Sequence, residues 1–549
     1  MGFHAGSIVG RPSFSHPLNL MQQTTRHSFR QPQWGIIGLG CINFGLVVLL
    51  ALPLVYLILR ATSDPTDGWA YITQASKLRV LWNSISLAGA VALTTTLIAV
   101  PLAWLVVRTD LHGRRWWTIL LTVPLVIPSY VGAFALIGAL GPKGMVQGWL
   151  EDFGVERLPS IYGFWGAWLA ISLFSFPYVF LSVRAGLRGL DPQLEEASKM
   201  LGRGTVRTFF KITLPQLLPS IQAGMLLVIL YTLSDFGAVA FMRFNALTRD
   251  IYIQNSQSFR NNRVAMLGLE LVILAALLLL ISRRLEGNAK AYHRQSNRKN
   301  STRIRLGKWQ IAAQLFCVLI VLLALVAPIG VPVYWLINGL ERGEAFNELL
   351  GPLQRSMRLA GITAGVAGLV ALPLVIMQVR YPSRLSRGLG FGAYVGNALP
   401  GVVVAIALVF FATRYVFELY QTLPLLIFAY LVRFLPEMLG PLQASMLQVN
   451  PHIEESALTL GRNRLHVLAT ITVPLVRSGW VAGVALVFLT VMKELPATRI
   501  LAPIGYDTLA TQIWSATQEL FYARAAAPSL VLVIVSALSL IYILEPEND

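Results

Sequence analysis

Few residues of this chain are placed to do chemistry. Its single Gly-Lys pair, Gly307-Lys308, is followed by Trp309, so there is no G-x-x-x-x-G-K-[ST] loop to cradle a phosphate. No Ser/His/Asp or Cys/His group gathers on one side of the apolar runs, and enzyme chemistry is not expected. What stands out instead is an acid near the end of an apolar run, present twice. Leu233-Ser234-Asp235-Phe236-Gly237 aligns with Met492-Lys493-Glu494-Leu495-Pro496 at an offset of 259. Acids in apolar spans are costly to bury and mark solute pathways. On that reading Ser234, Asp235, Lys493 and Glu494 line a pathway near its external end, where two acids would favour a cation. Equally open is a structural reading, an interfacial acid held by Lys493 or by a backbone donor.

A second duplicated stretch has the same offset. DPQLEEASKMLGRGTVRTFFKITLP runs from Asp191 to Pro215 and returns from Asn450 to Pro474 as NPHIEESALTLGRNRLHVLATITVP. Asp191-Pro192 and Asn450-Pro451 read as an N-cap followed by Pro in the first turn of a short helix. Glu195-Glu196 and Glu454-Glu455 then sit near the positive end of that helix. Gly202 and Gly461 can end it with a positive φ, and Ser198 and Ala457 are small enough for close approach to another helix. The bland alternative, an ordinary amphipathic interfacial helix, does not account for the repeated spacing.

The elements that must position these residues are membrane helices. The chain is 55% hydrophobic and 13% charged, too apolar for a soluble protein. Its net charge of +18 is better explained by retention of Lys and Arg at a cytoplasmic membrane face than by nucleic-acid binding. Two cysteines, Cys41 and Cys317, make neither a disulfide framework nor a multi-cysteine metal site. Polar residues precede the first apolar run, which argues against a cleavable signal. Apolar runs predict twelve spans: 34–59, 82–107, 117–140, 161–183, 217–240, 264–282, 309–338, 356–379, 389–412, 423–440, 476–495 and 526–544. Basic loops at 108–115, 283–308 and 380–388 place the two duplicated stretches and both termini in the cytoplasm. All seven histidines fall on that side. Pro101, Pro124, Pro128, Pro373 and Pro400 lie inside spans, where kinks are expected.

The duplication extends beyond the two short stretches. Ser84–Gly89, Pro101, Arg108 and Pro128 recur as Ser356–Gly361, Pro373, Arg380 and Pro400 at an offset of 272. The offset falls to 259 by Pro177 and Pro436, so the second half lacks 13 residues, placed in the external loop around 141–160. Six spans per half give both halves one orientation, related by an axis along the membrane normal.

With an acid, a small-residue pair, a Gly six places after the acid, and a closing aliphatic-spacer-aliphatic-Pro, both stretches resemble the EAA loop of ABC importer permeases. The whole chain resembles a fused, two-domain type I permease. Around Asp235 and Glu494 it looks most like ferric-iron permeases, while thiamine, polyamine and sulfate permeases share parts of the pattern. The resemblance implies an all-α membrane protein of about twelve transmembrane helices in two parallel six-helix repeats, sited in the plasma (inner) membrane. It divides the chain into 1–79 (cytoplasmic N-terminus, first span and external loop), 80–284 (first transmembrane domain), 285–353 (basic linker, seventh span and external loop), 354–544 (second transmembrane domain) and a tail, 545–549. It makes Glu196, Ala197, Ser198, Gly202, Pro215, Glu455, Ser456, Ala457, Gly461 and Pro474 the residues that couple to a dimeric ATPase. A periplasmic or lipoprotein binding protein would deliver substrate outside. The chain itself would bind no cofactor, metal or nucleic acid, and ATP would be used by the partner. The rival from another class is an ion-driven secondary transporter that needs no ATPase.

Overall fold

The structure is a computed structural model that describes residues 33–142, 144–154, 158–202, 204–257, 261–286, 303–343, 349–396 and 399–543. Both termini and most of the basic linker therefore lie outside the described residues. Regular structure among the described residues is helical, apart from one isolated bridge between Thr109 and Ile304.

Each half is built on three mutually packed helices. In the first half these are Ala75–Arg108, Phe164–Gly189 and Leu214–Ser234; in the second, Leu350–Arg380, Leu423–Gln448 and Arg477–Met492. Small residues let them approach. A Cβ on Gly224 would lie 2.8 Å from the Val179 Cα, and one on its repeat partner Gly483 would lie 2.5 Å from the Met438 sulfur. In lipid, where apolar side chains gain little by leaving the solvent, such close backbone packing is what holds helices together.

The first helix of each half crosses to the other half. Gln33–Ala61 packs on Asn261–Glu286 of its own half and on Arg384–Val395 and Gly401–Tyr415 of the second. In the second half, Ala327–Glu341 packs on Tyr522–Ile543 and reaches back to Ser129–Leu140 of the first. Buried polar groups fix the crossings. Asn43 Nδ2 donates to the Pro373 carbonyl at 3.0 Å, and Trp335 Nε1 to the Gly138 carbonyl at 3.0 Å.

Nine helices are long and apolar enough to cross a membrane, and up to eleven if two bent pairs each count as one span, among the described residues. The expected count of twelve is lowered by helix breaks. The runs 117–140 and 389–412, read as single spans, are each interrupted at a repeat-related proline. Pro128 and Pro400 adopt extended backbone (φ −61°, ψ 144° and φ −59°, ψ 143°) and start the helices Ser129–Leu140 and Gly401–Tyr415. Proline lacks the N–H that would continue the helix and pushes the preceding residue towards extended conformations. Pro101 and Pro373, by contrast, sit inside unbroken helices, and Pro124 lies in a 3-10 turn. The runs 217–240 and 476–495 stop as helices at Ser234 and Met492 and resume as the short helices Gly237–Phe241 and Pro496–Leu501. Proline and the acid pair thus break four helices in two symmetric places.

The crossing of the first helix can be tested by overpacking. A Cβ on Gly392 would lie 2.5 Å from Val47 Cγ1, whereas one on Gly388 meets nothing within 4 Å. Gly392→Val should destabilise the solubilised protein by about 1–3 kcal/mol, seen as a lower thermal midpoint, while Gly388→Val leaves it near wild type. Equal midpoints would contradict the packing.

Candidate functional site: coupling loops and central cavity

The duplicated loops form two equivalent exposed helices. Pro192–Met200 and Pro451–Thr459 are each nine residues long. Asp191 Oδ1 accepts the Gln193 N–H at 3.0 Å, and Asn450 Oδ1 accepts the His452 N–H at 3.1 Å, so both start with the cap that the sequence implies. Gly202 and Gly461 follow with φ of +75° and +83°, a left-handed turn that a residue with a Cβ enters only under strain. Ser198 is buried and shares a 3.0 Å hydrogen bond with Thr208, and its counterpart Ala457 is buried too. Glu196, Ala197, Glu455 and Ser456 are exposed. Glu455 contacts His452 at 2.9 Å, and the Ser456 hydroxyl donates to the His452 carbonyl at 2.7 Å. Pro215 and Pro474 lie in the first turn of the helices that re-enter the core.

The residues that hold these helices in place are the other acids of the two Glu-Glu pairs, for which the sequence alone suggests only a favourable helix-end position. Glu195 accepts the Thr213 hydroxyl at 3.0 Å and lies 3.4 Å from the Arg108 guanidinium. Glu454 accepts the Thr472 hydroxyl at 3.0 Å and is gripped by Arg380, whose Nε and Nη2 both donate at 3.0 Å. Thr213 and Thr472 each end a single π-helical turn, Phe209–Thr213 and Leu468–Thr472, at the same register of the repeat. That extra residue in the turn places the threonine against the acid. The signal was available: Glu195/Glu454, Thr213/Thr472 and Arg108/Arg380 all recur at repeat offsets. Three apolar positions are exposed at equivalent places in both loops, Leu194, Leu201 and Val206 in one copy and Ile453, Leu460 and Leu465 in the other, and the first copy also exposes Met200 and Phe210. Repeated exposed apolar groups of this kind mark a contact surface.

Between the halves lies a cavity of about 1020 Å³. Its wall includes Gln378, Ser386 and Arg387, close to the basic loop 380–388, and ends at the four helix breaks, with Ser129, Tyr130, Ser234, Asp235, Lys493 and Glu494. Asp235 and Glu494 are both buried. Each caps the short helix after its break: Asp235 Oδ1 accepts the Ala238 N–H at 2.9 Å and Glu494 Oε1 the Ala497 N–H at 3.2 Å. Beyond this they differ. Asp235 accepts the Ser129 hydroxyl, and Glu494 forms an ion pair with Arg433. Lys493 is therefore not the partner of Glu494 that the sequence suggests. It reaches across to the first half and donates to the Leu125 carbonyl at 3.3 Å, an acceptor in the turn before the Pro128 break. Ser234 bonds only locally among the described residues, to the Leu230 carbonyl at 2.8 Å. Behind the breaks, Trp514 of the second half stacks on Phe236 and Phe241 of the first, with ring centroids 5.1 and 5.0 Å apart.

Two copies of one family model match the chain, at residues 96–290 and 364–547; the family is described as the binding-protein-dependent transport system inner membrane component. The chain belongs to that family. This permease is 34% identical over 522 residues to the Fe(3+)-transport system permease protein FbpB 2 of Haemophilus influenzae, covering 93% of this chain and 97% of that one. It is 24% identical over 493 residues to the ferric transport system permease protein FbpB of Actinobacillus pleuropneumoniae, covering 86% and 72%. The molybdenum transport system permease protein ModB of Escherichia coli is 35% identical over 162 residues, 29% of this chain and 69% of ModB.

Repeat symmetry explains why the permease treats its two acids differently. Ser129 and Phe174 of the first half correspond to Gly401 and Arg433 of the second. A Cβ on Gly401 would lie 2.5 Å from both Arg433 Nη1 and Glu494 Oε1, so the glycine makes room for the guanidinium. Gly401→Ser should therefore displace Arg433 and destabilise the protein by about 1–3 kcal/mol. Adding Arg433→Phe recreates the first-half arrangement and should restore most of the thermal midpoint. An additive loss in the double variant would contradict this account.

Proposed function

We propose that this permease forms the membrane path of an ATP-driven importer for ferric iron. The observation that carries the reading is the whole-length likeness to a ferric permease, whereas the likeness to ModB spans 29% of the chain. The cavity is lined by three acids, Asp235, Glu437 and Glu494, and by three basic residues, Arg387, Arg433 and Lys493. An external binding protein would deliver the substrate, and an ATPase dimer would bind the two loops. The chain itself supplies no ATP site and needs no cofactor or nucleic acid. The rest of its environment is membrane lipid.

In this mechanism the exposed apolar trio of each loop docks on one ATPase subunit. ATP closes the ATPase dimer and draws the two loop helices together. Each loop helix is tied through Glu195 or Glu454 to the cytoplasmic end of a core helix, at Arg108 or Arg380. The core helices then move with the loops. The halves part where Trp514 meets Phe236 and Phe241, and the cavity opens outward. ATP drives this because the closed ATPase dimer fits only the outward-open arrangement. Both termini, the linker and both loops are cytoplasmic in this reading, in accord with the basic loops.

Uptake of radioactive ferric iron into vesicles that contain the permease, its ATPase and its binding protein tests the reading. Gly202→Asp with Gly461→Asp places a charged side chain on two left-handed turns beside the docking surface. Uptake should fall by about tenfold or more while the amount of permease in the membrane is unchanged. Normal uptake by this pair would sink the coupling assignment, and no iron uptake by the wild type would sink the substrate. For orientation, Cys41 and Cys317 are first replaced. In intact cells an impermeant thiol reagent should then label a single cysteine at Gly148, which is exposed, and spare one at Ser296. The reverse pattern would invert the topology.

A further inference from the structure

The two walls of the central cavity differ in the elements they offer. Side-chain polar groups contributed by the first half are Ser129, Tyr130, Tyr178, Tyr231, Ser234 and Asp235, all of them oxygen. Every side-chain nitrogen that lines the cavity comes from the second half. The repeat makes the contrast specific. Tyr178 corresponds to Glu437, Tyr231 to Thr490, Ser234 to Lys493 and Tyr130 to Val402.

The acids of the second wall are compensated: Glu494 pairs with Arg433, Lys493 lies within electrostatic reach of Glu437, and Arg387 adds a third cation. The first wall is not. Among the described residues Asp235 has no cationic partner and is held by the Ser129 hydroxyl and the N–H groups of Ala238 and Val239. Tyr130 is 3% exposed and lies near Tyr231 of the same wall and Glu494 of the other, and its buried hydroxyl has no hydrogen-bond partner among the described residues. Tyr130 packs on the break itself: a Cβ on Gly237 would lie 2.6 Å from Tyr130 Cβ. Tyr231 is within hydrogen-bonding reach of Ser129, and the Tyr178 and Tyr231 rings are 5.7 Å apart. A buried hydroxyl without a partner is costly and calls for an unseen one.

We propose that this wall is a transient, oxygen-only ligand site for a hard cation, with the Tyr130 and Tyr231 phenol oxygens and the Asp235 carboxylate as donors. The proposal rests on the importer reading above and adds which half of the permease holds the substrate. Hard cations select oxygen donors over nitrogen and sulfur, and ferric iron accepts phenolate in particular. On binding, each phenol O–H bond breaks, an oxygen–metal bond forms, and the proton leaves to water in the cavity. No electron is transferred, so the metal keeps its oxidation state. The second wall, with three cations against two acids, does not hold the cation, which suits a site that must also release.

Ferric nitrilotriacetate, added to the full-length permease in lipid nanodiscs, is the probe. Phenolate bound to ferric iron gives a visible charge-transfer absorption that carboxylate alone does not. The wild type should show this absorption. Tyr130→Phe with Tyr231→Phe should abolish it and lower vesicle uptake about tenfold. Tyr430→Phe should keep the absorption, since Tyr430 is buried against Thr498 and does not line the cavity. Elution of each variant as a monodisperse species separates loss of the site from loss of the fold. An absorption that survives the double Phe variant overturns the proposal. So does its absence from a wild type that imports iron, which would leave the importer reading standing. A wild type that imports no iron overturns both.

Discussion

The two exposed loop helices are held in place by one contact made twice, a carboxylate that ties a short surface helix to the end of a core helix. A nine-residue helix is too short to hold its place by its own hydrogen bonds. Glu195 and Glu454 fix it, each between an arginine of the first core helix and the threonine of the π turn that precedes the third. A paired carboxylate is strongly directional, so the loop helix is set in orientation as well as position. The two clamps differ in strength. Arg380 grips Glu454 with two 3.0 Å hydrogen bonds, while the Arg108 contact to Glu195 is a single 3.4 Å approach. In the proposed mechanism a free exposed face and a fixed attachment let these helices act as levers.

The same duplication that repeats the clamp lets the cavity diverge. Backbone breaks at Pro128 and Pro400, and at Asp235 and Glu494, are shared by the halves. Side chains at the breaks are not. A serine hydroxyl satisfies one acid and a guanidinium the other, with Gly401 supplying the space. Because each acid also caps the helix that follows it, neither half can lose its acid without loosening the break. Shared geometry with unshared chemistry is what a single fused chain allows, since each half can change without forcing the same change on the other.

Much of this was legible in the residues. The loop helices, their caps and the glycine turns were read in register, because capping and left-handed turns are local and depend on residue type. Which of two adjacent glutamates turns inward was not evident. That choice is made by the π turns at Phe209–Thr213 and Leu468–Thr472, and nothing in the composition of either turn announces it. Apolar runs located the membrane segments but not their breaks at Pro128 and Pro400, since Pro101 and Pro373, in runs just as apolar, leave their helices unbroken. The cue is slight: Pro101 and Pro373 are followed by Leu, whereas Pro128 is followed by Ser and Pro400 by Gly. Lys493 and Glu494 are neighbours in the chain and so looked like a pair. Their true partners lie 368 residues away at Leu125 and on a neighbouring helix at Arg433.

If the clamps transmit the motion, the outer ends of the halves must move only while the clamps are intact. Asn245 and Ile504 occupy equivalent positions of the repeat and are both exposed. The spin-label distance between them, in the permease assembled with its ATPase and without or with a non-hydrolysable ATP analogue, reads the separation directly. The account predicts that the analogue lengthens this distance in the wild type and leaves it unchanged in Glu195→Gln with Glu454→Gln, with the ATPase still bound. An equal lengthening in that variant would contradict it.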